Sequence, residues 1–206
     1  MSVKKLKYLI FDLGGVIVDL DMQKTYHQLG AISGLHPDKI KTDYWGLEPF
    51  KLYETGRISD DEFRSFLRDF LKFEGDDQLL DEAWNAMILG VPAEKLALLQ
   101  RLRKDHELFL LSNTNFIHMD CVRQKLLPHG VDSFDNFFDK QYYSHLINMR
   151  KPDTEIYQYV LDDNNLDPKY TLFIDDNADN IKGAANLGIQ TLHVNHEEAL
   201  TNFFNE

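Results

Sequence analysis

Cysteine is almost missing from this sequence. Cys121 stands alone, which excludes an internal disulfide and any zinc or iron–sulfur site built on several thiolates, and suits a reducing compartment. Positive charge is scarce as well. Lys and Arg number 22 against 34 Asp and Glu, a formal net charge of -12, so the overall field repels phosphate backbones. Nucleic acid is therefore not expected as a partner, and an anionic substrate needs local charges or a metal to hold it. Long apolar runs are absent: no stretch approaches the ~18 residues of a membrane span. The short apolar segment after Lys4, Lys5 and Lys7 stops at Asp12, too soon for a signal-peptide core. Internal repeats, low-complexity tracts and flexible linkers are missing too. What remains is 206 residues, 43% apolar, which fits one globular domain or one domain with a modest insertion, expected in the cytoplasm.

The apolar residues come in short runs. Leu6 to Phe11, closed by Asp12 and the Gly14-Gly15 pair, reads as a buried strand ending in a tight turn. Similar runs return at Leu108 to Leu111, Thr171 to Ile174 and Gln190 to Val194, with a weaker one from Phe137 to Tyr143. Helical spacing separates them at Pro92 to Lys104, Thr154 to Leu161, and Asn180 to Leu187, the last closed by Gly188. Alternating strands and helices predict right-handed crossovers and a parallel Rossmann-like α/β sheet with helices on both faces.

One connection breaks the rhythm. About eighty residues lie between Phe11 and Pro92, where a crossover needs only about ten to twelve. Within them Ser59 and Glu62 form a capping box, and Phe63, Phe66, Leu67, Phe70 and Leu71 repeat at helical spacing. Leu80, Ala83, Trp84 and Met87 mark a second helix. No strand pattern interrupts the segment, so residues 19–91 are expected to form an all-helical subdomain inserted into a core of 1–18 and 92–206, with the aromatic stripe as its own core.

In a parallel α/β sheet, ligands gather beyond the carboxyl ends of the strands. Those ends carry Asp12, Ser112-Asn113 and Asp175-Asp176. Each alone is an ordinary turn or cap residue. Together, however, Asp12, Asp175 and Asp176 would crowd three carboxylates at one sheet edge, where they repel unless a cation sits among them. An all-oxygen set without His or Cys favours magnesium. Lys151, just before Pro152, adds a fixed positive charge, Ser112 a hydroxyl and Asn113 an amide. These are the parts of a phosphoryl site: a carboxylate nucleophile, a metal and a lysine to offset charge, and small donors for the phosphoryl oxygens.

The strings Tyr8-Leu-Ile-Phe-Asp12-Leu-Gly-Gly-Val16, Leu111-Ser-Asn-Thr-Asn115, Met149-Arg-Lys-Pro152 and Phe173-Ile-Asp-Asp-Asn-Ala-Asp-Asn180, in that order, resemble the four motifs of the haloacid dehalogenase superfamily. Within it they are similar to α-D-glucose-1-phosphatase-like members with a helical cap. The resemblance implies that Asp12 is a nucleophile forming an aspartyl-phosphate. Ser112 and Asn113 would bind the phosphoryl group, and Lys151 would pair with it and with Asp12. Asp176 would ligate magnesium alongside Asp12 and the main-chain carbonyl of Gly14, with Asp175 supporting the metal directly or through water and Asn180 orienting that loop. A small phosphorylated metabolite, for instance a sugar phosphate such as glucose 1-phosphate, would be the substrate.

Gly14 departs from the pattern. Most phosphatases of the superfamily carry a second aspartate there to protonate the leaving alcohol, a contribution of ~10² to 10⁴ in rate. Acidic leaving groups suffer least from its loss, and an anomeric hydroxyl is more acidic than an ordinary alcohol. Asp19 and Asp21 are expected to lead into the cap rather than to replace the acid. Trp45 and Tyr53 are candidate cap contacts by residue type; His193 and His196 read as surface residues and Cys121 as a small core residue. Two other functions fit less well: metal-free dehalogenation, against which the Asp175-Asp176 pair speaks, and a regulatory or binding role with chemistry weakened at Gly14.

Overall fold

The computed structural model describes residues 5–44, 47–196 and 198–205. Seven strands are present: β1 (Tyr8–Phe11), β2 (Asp19–Leu20), β3 (Ile88–Gly90), β4 (Glu107–Ser112), β5 (Lys140–Tyr143), β6 (Thr171–Asp175) and β7 (Gln190–His193). Between β2 and β3 lie α1 (Met22–Ser33), α2 (Pro37–Tyr44), α3 (Glu48–Glu54), α4 (Asp60–Leu71) and α5 (Asp77–Asn85). The remaining helices are α6 (Ala93–Leu102), α7 (Phe116–Leu126), α8 (Ser144–Ile147), α9 (Thr154–Asn164), α10 (Ala178–Ala185) and α11 (Ala199–Asn205).

Five strands form a parallel sheet in the order β5-β4-β1-β6-β7. Side chains alternate across it with the period of two that a pleated strand imposes. Leu9 and Phe11 of β1, with Leu108 and Leu110 of β4, join the layer that contains α6, α7 and α11. Ile10, Phe109, Leu111 and Phe173 face the opposite layer, against Ile156, Tyr157 and Val160 of α9 and Ala184 of α10. Burial on both faces explains why these strands read as continuous apolar runs. The chain builds outward from β1 to β4 and β5, then crosses to β6 and β7 on the other side. The strand order thus reverses at β1, the place where such sheets open a crevice beyond their carboxyl ends.

The weak strand expected from Phe137 begins only at Lys140. Phe137 and Phe138 sit instead in a turn, buried against Phe134 with ring centroids 6.4 and 6.0 Å away, so their apolar character reflects packing rather than a ladder. The expectation of an all-helical insertion also needs correction. β2 and β3 pair antiparallel, Asp19 with Gly90 and Leu20 with Ile88, making a short ribbon where the chain enters and leaves the helices. Strands of 2 and 3 residues are too short to write an alternating pattern.

The capping box is present: the Ser59 N–H donates to Glu62 Oε2 at 2.8 Å and the Glu62 N–H to Ser59 Oγ at 3.3 Å. The aromatic stripe is core, as expected. Phe63 is fully buried, stacked on Tyr53 at 4.0 Å and within 5.4 Å of both Phe50 and Trp84. Tyr53 is therefore not a substrate contact; its hydroxyl donates to Asp60 at 2.8 Å and accepts from the Ile117 N–H at 3.4 Å. Trp45 lies outside the described residues. Asp21 caps α1 by accepting from the Gln23 N–H at 3.0 Å, which gives it the lead-in role expected of it. Cys121 is half-buried against the larger core, and burial pushes its thiol pKa up, away from reactivity. No described helix is long and apolar enough to cross a membrane.

Candidate active site

Each charged residue singled out above is delivered to the crevice by the end of a strand or the start of a helix. Asp12 follows β1, Ser112 ends β4, Asp175 ends β6 and Asp176 follows it, while Lys151 lies in the turn before α9. The structure brings them together. Lys151 Nζ is 2.8 Å from Asp12 Oδ1 and 2.6 Å from Asp175 Oδ2, and Asp12, Asp175 and Asp176 can each offer an oxygen within 4.8 Å of the others. Lys151 is 1% exposed and Asp175 0%, so this is a buried ionic cluster whose members need one another.

Burial drives the Asp12 carboxyl up to about 7, with the charge of Asp175 adding to the rise and Lys151 opposing it. Asp176 is also raised, by burial and by Asp175. For Lys151, burial works against the charged form, but the two carboxylates outweigh it and hold the ammonium above the ordinary lysine range. Three carboxylates against one ammonium leave a surplus of two negative charges when all are ionised. A divalent cation matches that surplus, and the all-oxygen donor set suits magnesium.

The cluster is held by a second layer of bonds. Asp175 accepts from the Asn177 N–H at 2.8 Å and from Asn180 Nδ2 at 3.1 Å to each oxygen, so Asn180 steadies the loop through Asp175. Asp12 Oδ1 also accepts from the Leu13 N–H at 2.7 Å, which fixes the turn of its carboxylate. The Asn113 amide is used differently from expectation. Its Nδ2 donates to the Lys151 carbonyl at 2.9 Å and its Oδ1 accepts from the Lys151 N–H at 2.8 Å. The side chain thus locks the lysine-bearing loop to the end of β4.

Sequence reasoning missed three contributors. Gly15 has φ of +72°, and a Cβ there would collide with the Asp176 carboxylate, so this glycine lets Asp176 lie against the first turn. The Gly14-Gly15 pair was its visible signal. His193, read as a surface residue, donates from Nε2 to the Asp176 carbonyl at 2.9 Å and so ties β7 to the loop that carries Asp176. Leu20 reaches back over Gly14: a Cβ at Gly14 would come within 2.7 Å of Leu20 Cδ1. Gly14 itself is not in the left-handed region, so the tip of a flexible side chain, and not the backbone, resists a larger residue there.

Beside the charged cluster a cavity of about 180 Å³ opens between the core and the insertion. Its floor includes Gly14, Ser112 and Asn113, and its walls include Leu20, Met22, Trp84 and Met87. Three bonds tie the insertion to the core loop that carries Lys151: Arg150 Nη2 and Nε to Glu54 Oε2 at 3.0 and 3.3 Å, and Asn148 Nδ2 to the Thr55 carbonyl at 2.7 Å.

A parallel sheet reversing at β1, a strand-end aspartate, a buried lysine and a second acidic pair define a hydrolase site of one type, and the sequence comparison agrees. The chain belongs to the haloacid dehalogenase-like hydrolase family, which matches residues 6–188. It is similar to the D-ribitol-5-phosphate phosphatase of Bacteroides thetaiotaomicron, 32% identical over 186 residues that cover 90% of each chain. A sesquiterpene phosphatase of Aspergillus oryzae, astK, is 28% identical over 192 residues, covering 91% of this chain and 89% of the relative. Among solved structures, a haloacid dehalogenase family enzyme of Bacteroides thetaiotaomicron, crystallised with magnesium and inorganic phosphate, superposes with a TM-score of 0.84 at 36% identity, covering 91% of this chain and 93% of the other.

Proposed function

We propose that this protein is a magnesium-dependent phosphomonoesterase that hydrolyses a small phosphorylated metabolite through an aspartyl-phosphate on Asp12. The observation that carries the reading is the Lys151 ammonium bridging Asp12 and Asp175, with Asp176 completing a three-carboxylate set. The relatives named for phosphatase activity, and the neighbour holding magnesium and phosphate, support it.

Asp12, Asp176 and the Gly14 carbonyl would hold the ion, with Asp175 behind them. When bound, it neutralises carboxylate and phosphoryl charge that would otherwise repel. Lys151 and the Ser112 hydroxyl hold the phosphoryl oxygens, and the Asn113 N–H joins them. An Asp12 oxygen attacks phosphorus, an oxygen–phosphorus bond forms, and the bond to the leaving oxygen breaks. Without a carboxyl at Gly14, that oxygen departs as an anion and takes its proton from solvent. Water then attacks the aspartyl-phosphate, releasing inorganic phosphate and restoring Asp12. Residues 1–18 and 92–206 act as the catalytic core and 19–91 as a cap over it, and a cytoplasmic setting suits the single cysteine.

The two phosphatase relatives differ in what leaves: a polyol in one name, a terpenoid in the other. Leaving-group acidity favours a sugar 1-phosphate such as glucose 1-phosphate over a 6-phosphate, because the proton Gly14 cannot give matters least there. The test is phosphate release from a panel of phosphorylated metabolites. Activity should vanish with a chelator and return with magnesium, and Asp176→Ala should raise the magnesium concentration needed by about tenfold or more. Equal activity after exhaustive chelation would refute the metal-dependent reading.

A further inference from the structure

The cavity beside the phosphoryl site has walls of one chemical kind. Leu20 and Met22 come from the start of the insertion, Trp84 from α5, Met87 and Ile88 from its end, and Val122 from α7. Several of the polar groups among them already have partners within the protein. Glu54 is charge-paired with Arg150, at 3.0 and 3.3 Å. His118 uses Nδ1 against Asn85 Oδ1 at 2.8 Å and lies stacked on Trp84 with ring centroids 4.8 Å apart, so it presents a flat ring to its surroundings. The Thr114 N–H and carbonyl are both taken by Ser144 Oγ, at 2.9 and 3.2 Å. Much of that hydrogen-bonding capacity is thus spent within the protein, and away from Ser112 and Asn113 the lining is mostly aliphatic and aromatic.

A cleft of about 180 Å³ with such walls favours an apolar group over a polyol. Most hydroxyls of a sugar held there would lose hydration without a replacement bond. A mostly apolar cleft that opens against the strand end carrying Ser112 has the character of a ligand pocket.

We propose that the alcohol this enzyme releases is apolar, so that its substrate is the monophosphate of an alkyl, terpenoid or aromatic alcohol, with Leu20 packing along the carbon chain beyond the leaving oxygen. The proposal rests on the phosphomonoesterase reading and puts an apolar alcohol in place of the sugar named there as the leaving group. Leu20 is placed for this role by its tip lying over Gly14, and it is 38% exposed, so it can be changed without hollowing the core.

Methyl, butyl and hexyl phosphate release primary alcohols of similar acidity, so differences in kcat/KM among them report contact with the chamber. Each buried methylene is expected to raise kcat/KM about fourfold until the space is full, and hexyl phosphate should exceed ribitol 5-phosphate and glucose 6-phosphate. Leu20→Gln should flatten the series, lowering the ratio of hexyl to methyl phosphate kcat/KM by about tenfold. A flat series with polyol phosphates preferred would overturn the proposal, as would a Leu20→Gln variant slowed equally on every substrate. Binding separates this outcome from failure of the phosphatase reading. In a Trp45→Phe background Trp84 is the remaining tryptophan, and its fluorescence should report hexylphosphonate binding at least about tenfold tighter than methylphosphonate. Equal affinities would overturn the apolar chamber even if no phosphomonoester were hydrolysed. Hydrolysis of none, acetyl phosphate included, would remove the phosphatase reading alone.

Discussion

Two regions meet at Gly14 and are built on opposite principles. On one side, Asp12, Lys151 and Asp175 are each fixed by two or more short polar bonds, and those bonds are in turn anchored by Asn113, Asn177 and Asn180. On the other, Leu20, Met22 and Trp84 face a void and are positioned by packing. Bonds of the first kind demand particular residues at particular angles, so the charged region has one workable composition. Packing tolerates substitution of similar volume. On the proposed reading, the chemistry is thus fixed by geometry while the choice of leaving group is left to adjustable walls.

The contrast can be broken most sharply at the nucleophile. Asp12→Asn keeps shape and size but removes the attacking charge, and turnover should fall by about 10⁴-fold or more while the circular dichroism spectrum stays unchanged. Phosphate release above a few per cent of the parent rate would take Asp12 out of its role. Next in size is the anchor. Asp175→Ala leaves the buried Lys151 and Asn180 facing a gap, and urea unfolding should show a loss of about 3–5 kcal/mol. Leu20→Ala on the chamber side should cost under about 1 kcal/mol in the same assay, since Leu20 is partly exposed. Similar losses at both positions would erase the distinction between the regions.

Gly14 joins the two sides, and a double change there sharpens the comparison. Gly14→Asp alone must push Leu20 Cδ1 away from 2.7 Å. Combined with Leu20→Ala, the new carboxyl has room to protonate a leaving alkoxide. kcat for poor leaving groups should then rise by about 10²-fold over Leu20→Ala itself, with little change for p-nitrophenyl phosphate, whose leaving group needs no proton. A uniform loss would mean the carboxylate disturbs the metal-binding charges instead.

The smallest effect concerns pH. Burial pushes His118 from 6.5 down to about 3, so between these values the unfolded chain binds a proton that the folded chain does not. Its contribution to stability is complete above about pH 6.5 and is lost as pH falls toward 3. His118→Leu should therefore make the midpoint of thermal unfolding less sensitive to pH between 6.5 and 4. An unchanged slope would show that His118 accepts a proton in the fold.

The charged region was the legible one. Asp12, Ser112, Asp175 and Asp176 could be found because a parallel sheet places strand ends together, and strand ends are visible as the close of apolar runs. The second partner of Lys151 could not, since a lysine in a loop carries no sign of which carboxylate it reaches. Nor could the use of the Asn113 side chain on the Lys151 main chain, a contact across 38 positions of sequence. The β2–β3 ribbon was hidden by its brevity, and its consequence, Leu20 folded back over Gly14, depends on a chain reversal that no periodicity records.

Arg150 and Lys151 are neighbours in the chain, yet one clasps Glu54 of the insertion and the other grips Asp12. A tether one peptide unit long therefore runs from the insertion to the charged cluster. If the helices swing outward to admit a ligand, either the Glu54 clasp breaks or the pull reaches the ammonium directly. Access and alignment then share a single mechanical element, and a molecule wedged under the helices would loosen the very charge that should hold its phosphate. Ligands too bulky for the space would on this account be turned over slowly even when they bind.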